Sequence, residues 1–462
     1  MNKTQEFAGI FYPDDSNNLT ELLDSYKEES FTDYKSKAII VPHAGYIFSG
    51  HAAMKSFSRL EASENIFIIA PSHHYVFSDI AFPEYTYFDT PLGSIEVNNR
   101  LIKELAEKYP SIITNDFFEK EHSIEVQLPF LQNIFFPQRQ SAVDFMKNLK
   151  KLGKKLRIVP ILTGRCDYRM ISDIIAEYYE TSSFIISSDL SHYYTHEQCR
   201  QIDTYTASLI ENGKTESFEQ AQACGLAGIM GLVDFASKNG YSMIRAEMYN
   251  SGDMCEDKSR VVGYGAWYLY EGSKNEYINK YYSKYILEVA RKSILGELNG
   301  EQYVPDKIPP VLLELGASFV TIKKNDALRG CIGSIYPTRP LILDIIDNAK
   351  NAAFQDPRFN PMTADEFNEN IDISISLLSA PERIKFKDER DLLTKIYPYG
   401  IILIERSRRA VYLPVVWEQL PDREIFLNSL KEKAGLPSNY FSPYMEAYRF
   451  EAMYISEETI NA

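Results

Sequence analysis

The second half of this chain has no histidine. All seven (His43, His51, His73, His74, His122, His192 and His196) fall within the first 196 of 462 residues. A histidine-ligated metal site within residues 277–462 is therefore excluded, and imidazole chemistry belongs to the first half. Cysteine is also scarce. The five (Cys166, Cys199, Cys224, Cys255 and Cys331) are odd in number, and no two are spaced as in a metal ribbon. That excludes a disulfide scaffold and points to a reducing, cytoplasmic compartment. No window approaches the roughly 18 apolar residues of a membrane span. The opening MNKTQEFAGIFYPDD lacks the apolar core of a signal peptide, so no membrane partner is expected. Basic residues are outnumbered, 49 Lys and Arg against 64 Asp and Glu, for a net charge of −15. Such a surface repels phosphate backbones, which argues against a nucleic-acid partner. There is no internal repeat and no low-complexity tract.

What is present is ordinary globular material, 45% hydrophobic and 24% charged, in a chain too long for a single core. The polar stretch EGSKNEYINK at 271–280 reads as a linker between a domain at 1–272 and another at 277–462. The basic stretch RQSAVDFMKNLKKLGKKLR at 139–157 reads as a solvated helix or surface excursion. Four short Ile- and Val-rich runs, AIIV (38–41), NIFIIA (65–70), RIVPIL (157–162) and SFIIS (183–187), stand between turn residues. Separated by helical patterns such as LTELLDSYKEES and LIKELAEKY, they predict an α/β domain around a buried, mostly parallel sheet.

Three of these runs end in similar chemistry. The first leads into Pro42-His43-Ala44-Gly45-Tyr46, the second into Pro71-Ser72-His73-His74, and the last into Ser188-Asp189-Leu190-Ser191-His192. Ligands of open α/β sheets bind outside the carboxyl ends of the strands, so His43, His73, His192 and Asp189 are expected to converge. In Glu121-His122-Ser123-Ile124-Glu125, a helix puts His122 and Glu125 on one face. They are then a carboxylate fixing an imidazole tautomer, a general acid or base, or a solvated helix start. Cys224, just before the apolar pattern GLAGIMGLVDFA, is either a dipole-stabilised thiolate ligand or a small buried hydrophobe.

These residues resemble the Memo family. AGIFYP (8–13), PHAGY (42–46), PSHH (71–74), EHSIE (121–125), SSDLSH (187–192) and ACG (223–225) occur in the family's order. Memo proteins are similar in fold to class III extradiol dioxygenases. The resemblance implies metal ligands at His43, His73 and Cys224. It places Asp189, His192 and His122 in the same pocket, where they are the expected catalytic groups; Glu125, from its spacing to His122, and His74 as an accessory residue are expected around them. This chain reads CGLAG where the family usually has a Pro shortly after Cys-Gly. Two imidazoles and an anionic ligand with open positions is the plan of catalytic metal sites. A divalent or redox-active metal is expected, iron first, with copper and zinc as alternatives.

In the second half, FVTIKKNDALRGCIGSI reads as two strands around an Asn-Asp turn, and IDISISLLS, IILIER and AVYLPVV as further strands. A helical pattern ends near Asp356-Pro357-Arg358, followed by a helix cap at Thr363. This is α+β in character. FVTIKK, LRGCIGS, NAKNAAFQDPRF, YLPVV and KAGLPS resemble the AMMECR family in order, with Phe441 where that family often has Trp. LRGCIG is read either as turn chemistry or as a small pocket built from Arg329, Cys331, Asp356 and Arg358. Memo-type and AMMECR-type domains are known beside a radical-SAM protein in the AmmeMemoRadiSam system. The chain has no CxxxCxxC motif, so the resemblance implies a separate radical-SAM partner. The expected activity is that of a dioxygenase-like, metal-dependent oxidoreductase on an unknown small-molecule substrate. The alternative is a non-catalytic metal-binding accessory or adaptor for that partner.

Overall fold

The computed structural model describes residues 1–28, 32–135, 156–215, 217–218 and 222–457. It divides into two compact units, Met1–Lys274 and Asn275–Ala462. The basic stretch at 139–157 lies outside the described residues, apart from Leu156 and Arg157.

The strands of the first unit are β1 (Asn2–Lys3), β2 (Ala38–Val41), β3 (Asn65–Pro71), β4 (Ile80–Phe82), β5 (Tyr87–Thr90), β6 (Gly93–Glu96), β7 (Ser111–Ile113), β8 (Arg157–Thr163), β9 (Ser182–Ser187), β10 (His192–Tyr194), β11 (Ser242–Asn250) and β12 (Val261–Tyr270). Its helices are α1 (Ser16–Ser25), α2 (Tyr46–Phe57), α3 (Asn99–Lys108), α4 (His122–Glu125), α5 (Leu128–Phe135), α6 (Tyr168–Tyr178), α7 (His196–Glu211) and α8 (Leu226–Lys238). The large sheet runs β10-β12-β2-β9-β3-β8-β4-β7, with β11 on β12. Its centre, β2-β9-β3-β8, is parallel. Antiparallel pairs flank it at β12–β2 and β4–β8. The four apolar runs of the sequence are these central strands, and beyond their first residues they are buried throughout. Burial on both faces is why they are apolar at every position instead of alternating.

The second unit is α+β. Its strands are β13 (Leu315–Lys324), β14 (Ala327–Gly333), β15 (Arg339–Pro340), β16 (Ile371–Leu378), β17 (Glu382–Ile384), β18 (Gly400–Glu405), β19 (Arg408–Tyr412), β20 (Met445–Phe450) and β21 (Ala452–Ser456). They form two antiparallel sheets, β14-β13-β16-β21 with β15 on β13, and β17-β20-β18-β19. Helices α9 (Lys274–Asn299), α10 (Leu341–Phe354), α11 (Ala364–Phe367), α12 (Glu389–Lys395) and α13 (Arg423–Lys433) accompany them. The β13–β14 hairpin turns on Asn325 and Asp326, with φ of 49° and 64°, the double left-handed conformation that a two-residue hairpin needs. Thr363 caps α11. Strand β19 stops at Tyr412, and Pro414 opens a 3-10 turn, so YLPVV is not one strand.

The polar stretch at 271–280 differs from the linker expected of it. Helix α9 starts inside it, at Lys274, and Tyr277 and Ile278 are buried. Ile278, Tyr282 and Ile286 recur every four residues, a helical stripe that its polar neighbours mask in a short window. No helix among the described residues is long and apolar enough to cross a membrane.

Gly330 and Gly333 belong to packing. A Cβ on Gly330 would lie 2.0 Å from the carbonyl oxygen of Ala352 in α10, and one on Gly333 would lie 2.2 Å from the Phe319 ring. The glycines let the hairpin lie against the helix backbone and an aromatic face. Gly330→Ala is expected to destabilise the second unit by about 1–3 kcal/mol, as overpacking does. Thermal denaturation of the full chain checks this, and an unchanged transition would refute the close approach.

Candidate metal centre

Parallel pairing positions the site. Val41 lies opposite Ser187 in the β2–β9 pair, and Ile69 opposite Ile186 in the β3–β9 pair. The three strands therefore end at one edge. His43, His73 and Asp189 each stand two residues beyond a strand's last residue. The one-turn helix α4 brings His122 to the same edge. It is tied there by Ser123 Oγ, which donates to the carbonyl of Pro71 at 3.1 Å, and by Ser187 Oγ, which donates to the carbonyl of Ser123 at 2.6 Å.

His43, His73 and His122 form a group whose ligand atoms all lie within 4.8 Å of one another, close enough to hold a metal ion. The rings meet edge to face at 5.1 Å (His43–His73) and 5.2 Å (His43–His122), and stack at 4.7 Å (His73–His122). His43 is buried, His122 half-buried, and His73 lies at the mouth. Phe11 and Phe7 pack on the His122 ring at 4.7 and 5.7 Å.

The hydrogen bonds fix two tautomers. The single proton of Ser187 Oγ goes to Ser123, so this oxygen accepts from Gln127 Nε2 at 2.9 Å and from His43 Nδ1 at 2.9 Å. That leaves His43 Nε2 unprotonated, with its lone pair facing the Cys224 thiol at 3.2 Å. His73 Nδ1 donates to Glu121 Oε1 at 2.9 Å, and the His73 backbone N–H donates to Glu121 Oε2 at 2.7 Å. Its Nε2 is likewise free to ligate. Burial, with the charge of His73 second, pushes His43 down to about 3, and burial does the same to His122. Both stay neutral and able to ligate. Burial pushes His73 down as well, but the Glu121 hydrogen bond and charge prevail and raise it above its ordinary value. Burial likewise pushes Glu121 up, yet His73 holds it at about 2.

The remaining site residues divide. Cys224, expected as a ligand, stands beside the group and not within it: its Sγ lies 3.2 Å from His43 Nε2 and accepts from the backbone N–H of Asp189 at 3.2 Å. A helix-favoured thiolate was one expectation, but burial, reinforced by Asp189, pushes the thiol up to about 12. Desolvation outweighs a half-charge dipole. Asp189 Oδ1 accepts from the His43 backbone N–H at 2.8 Å, and burial raises its carboxyl above the ordinary range. His192 lies on β10, near enough for its charge to act on His43 and Asp189. Glu125 does not support His122. Its carboxylate accepts from the backbone N–H of Glu6 and Phe7 and from Tyr12 Oη, at 3.1, 2.8 and 2.7 Å, and pairs with Lys3 at 3.5 Å. It anchors the AGIFYP segment that carries Phe11. His74 is exposed and, among the described residues, makes no hydrogen bond. The carboxylate that holds His73 is Glu121, which the sequence reading passed over. Its signal was its place as N-cap of α4, accepting from the Ser123 backbone N–H at 3.0 Å.

In the second unit Cys331, Asp356 and Arg358 meet each other, and Arg329 pairs elsewhere. Arg329 forks onto Glu366 at 2.6 and 2.9 Å and donates to the carbonyl of Asn360. Arg358 forks onto Asp356 at 2.9 and 2.7 Å, and Asp356 also accepts from the Cys331 backbone N–H at 2.9 Å. Thr321 Oγ1 donates to Cys331 Sγ at 3.2 Å. Both guanidinium forks are thus occupied by carboxylates of the chain itself.

Comparison with known proteins finds a match to the family described as Memo-like protein over residues 3–268 and to the AMMECR1 family over residues 287–455. A MEMO1 family protein of Aquifex aeolicus is 32% identical over 273 residues, 56% of this chain and 95% of its own length. One from Thermoplasma acidophilum is 31% identical over 279 residues, 58% of this chain and 98% of its own. Among solved structures, an uncharacterized protein from Pyrococcus horikoshii shares 32% identity, covers 38% of this chain and 91% of its own, and has a TM-score of 0.36.

Two expectations follow. A proton on His73 competes with any metal for the same imidazole. Because Glu121 raises the His73 pKa, metal affinity should weaken as pH falls through that raised value, while His43 and His122, near 3, stay deprotonated. Glu121→Gln should lower affinity about 10–100-fold and shift the acid-side loss to lower pH. Competition titrations against a chelator over about pH 5 to 8 measure both, and an unchanged profile would refute the coupling. Glu125→Ala leaves donors of Glu6, Phe7 and Tyr12 without their acceptor, at about 1–3 kcal/mol for each one buried. It should destabilise the fold and expose residues 5–12 to protease; wild-type resistance would mean that the segment is held by other contacts.

Proposed function

This chain belongs to the Memo-like protein family and carries an AMMECR1 domain, and on that footing we propose that its first unit is a metal-binding, oxidoreductase-type centre. The observation that carries the reading is the His43, His73 and His122 group, with ligand atoms within 4.8 Å of one another. The donor set fits a metal: two imidazoles turn unprotonated Nε2 atoms away from fixed Nδ1 partners, and a thiol that could give up its proton on binding a metal stands beside one of them. His122 is thereby proposed as a ligand, where the family resemblance alone made it a catalytic group. A bound metal supplies Lewis acidity and, as iron or copper, one-electron chemistry.

The chain's own residues do the rest. Glu121 orients His73, and Ser187 orients His43. Phe7 and Phe11 shield one side of His122 from water. Asp189, whose carboxyl burial favours in the protonated form, and the neighbouring His192 can hold or move a proton at the edge of the group. The reducing, cytoplasmic setting and the separate radical-SAM partner belong to the same proposal. Five unpaired cysteines support the first, and the second rests on the family resemblance alone. One observation favours a metal-holding role without turnover: the Cys224 thiol sits against a ligating nitrogen, where oxidising chemistry would consume it.

His43→Ala, His73→Ala and His122→Ala should each abolish stoichiometric metal after anaerobic purification, whereas His192→Ala should keep it. Cys224→Ser should weaken binding and shift preference toward harder ions. Elemental analysis decides. Wild-type metal content in the His43→Ala/His122→Ala double variant would sink the reading.

A further inference from the structure

We propose that the cavity beside the histidine group binds a small organic monocarboxylate with an apolar body. The assignment of this ligand as a substrate rests on the metal-centre reading above; its binding does not.

The cavity has a volume of about 660 Å³, within the range of roughly 300–1,000 Å³ found for small-molecule sites. It lies where the segment after β3, the loop after β8 and the start of α8 meet. Cys224 lines it and also places its Sγ 3.2 Å from His43 Nε2. The cavity therefore adjoins the histidine group through one shared side chain. Tyr75, Val76, Phe77, Leu226 and Met230 give it apolar walls. Val76 is 81% exposed and Tyr75 41% exposed, large side chains kept at the rim although water is a poor neighbour for them. The rim is built to stay there: Phe117 stacks on Phe77 at 4.6 Å and packs on Tyr75 at 4.9 Å.

The charges around the cavity select the headgroup. Its titratable lining residues are Tyr75, Arg165, Cys166, Asp167, Tyr168 and Cys224. Asp167 is committed to the start of α6, accepting from the Arg169 backbone N–H at 3.0 Å and pairing with the Arg169 guanidinium at 3.4 Å. Burial, with Asp79 second, keeps the Cys166 thiol neutral. The guanidinium of Arg165, by contrast, has no hydrogen bond or ion pair among the described residues. Helix α8 begins in the cavity floor with no side-chain cap, which adds partial positive charge to the same space. One uncommitted unit charge matches a monoanion, and a guanidinium fork matches the two oxygens of a carboxylate. A dianion would keep one charge uncompensated. A neutral ligand would leave the exposed Arg165 to water and gain nothing from its charge. In a chain of net charge −15, this local cation is what can draw an organic anion toward the centre.

The test uses 3-phenylpropionate and its amide, 3-phenylpropionamide, as probes of matched shape. Each is titrated calorimetrically into the full chain, as wild type, Arg165→Gln and Met230→Trp, with metal content measured in the same preparations. The wild type should bind the acid at least about tenfold more tightly than the amide, as for a charge-assisted pair. Arg165→Gln should erase that preference with metal content unchanged. Met230→Trp, which fills the cavity, should weaken both probes. Equal binding of acid and amide, binding of neither, a preference that survives Arg165→Gln, or indifference to Met230→Trp would each overturn the proposal. Absent probe binding with full metal content overturns the pocket and leaves the metal centre standing. Selective probe binding in a protein that takes up no metal does the reverse.

Discussion

The whole site depends on the parallel pairing of β2 and β3 with β9 between them. Parallel strands share a direction, so whatever follows them is delivered to one edge. Here the residues delivered are His43, His73 and Asp189, each at the same offset from its strand end. The pairing also buries the strand ends, and that burial sets the electrostatics. It drives His43 and His122 toward the neutral, ligating form, and the thiol of Cys224 toward the protonated one. An edge assembled from antiparallel neighbours would have put alternate chain ends on opposite sides and dispersed the group.

Three carboxylates near this edge do three different things, and environment decides which. Glu121 meets an imidazole and two backbone donors and is held ionised at about 2. Asp189 meets the His43 backbone N–H, and burial raises it. Glu125, only four residues from Glu121, turns to the N-terminal segment and fastens it through Phe7 and Tyr12. The AGIFYP motif thus acts at a distance. Its Tyr12 is tied to Glu125, and its Phe11 walls His122. In the second unit carboxylates again decide the pairing. Carboxylates of the chain occupy the Arg329 and Arg358 forks, and glycines admit helix backbone and an aromatic ring.

Much of this was legible in the sequence, for identifiable reasons. The four central strands stand out because a strand buried on both faces must be apolar throughout. The Asn325-Asp326 hairpin stands out because few residues tolerate two successive left-handed conformations. The convergence of His43, His73 and Asp189 follows from strand ends alone. The supporting contacts did not show. Helical spacing pairs His122 with Glu125, but α4 is a single turn, and one turn does not oblige its i, i+3 neighbours to share a partner. Polar side chains dominate 271–280, while the stripe through Ile278, Tyr282 and Ile286 needs a longer window.

The sequence by itself determined which elements form and which chemical groups they end in, because those depend on local periodicity, turn stereochemistry and the cost of exposing apolar strands. Only the tertiary structure decided which acceptor each donor meets. Glu121 finds His73 across 48 positions, Glu125 finds Phe7 across 118, and Cys224 finds His43 across 181. No local rule encodes such pairings. They are settled when buried polar groups, denied water, must be satisfied by whatever the packed strand ends bring within reach.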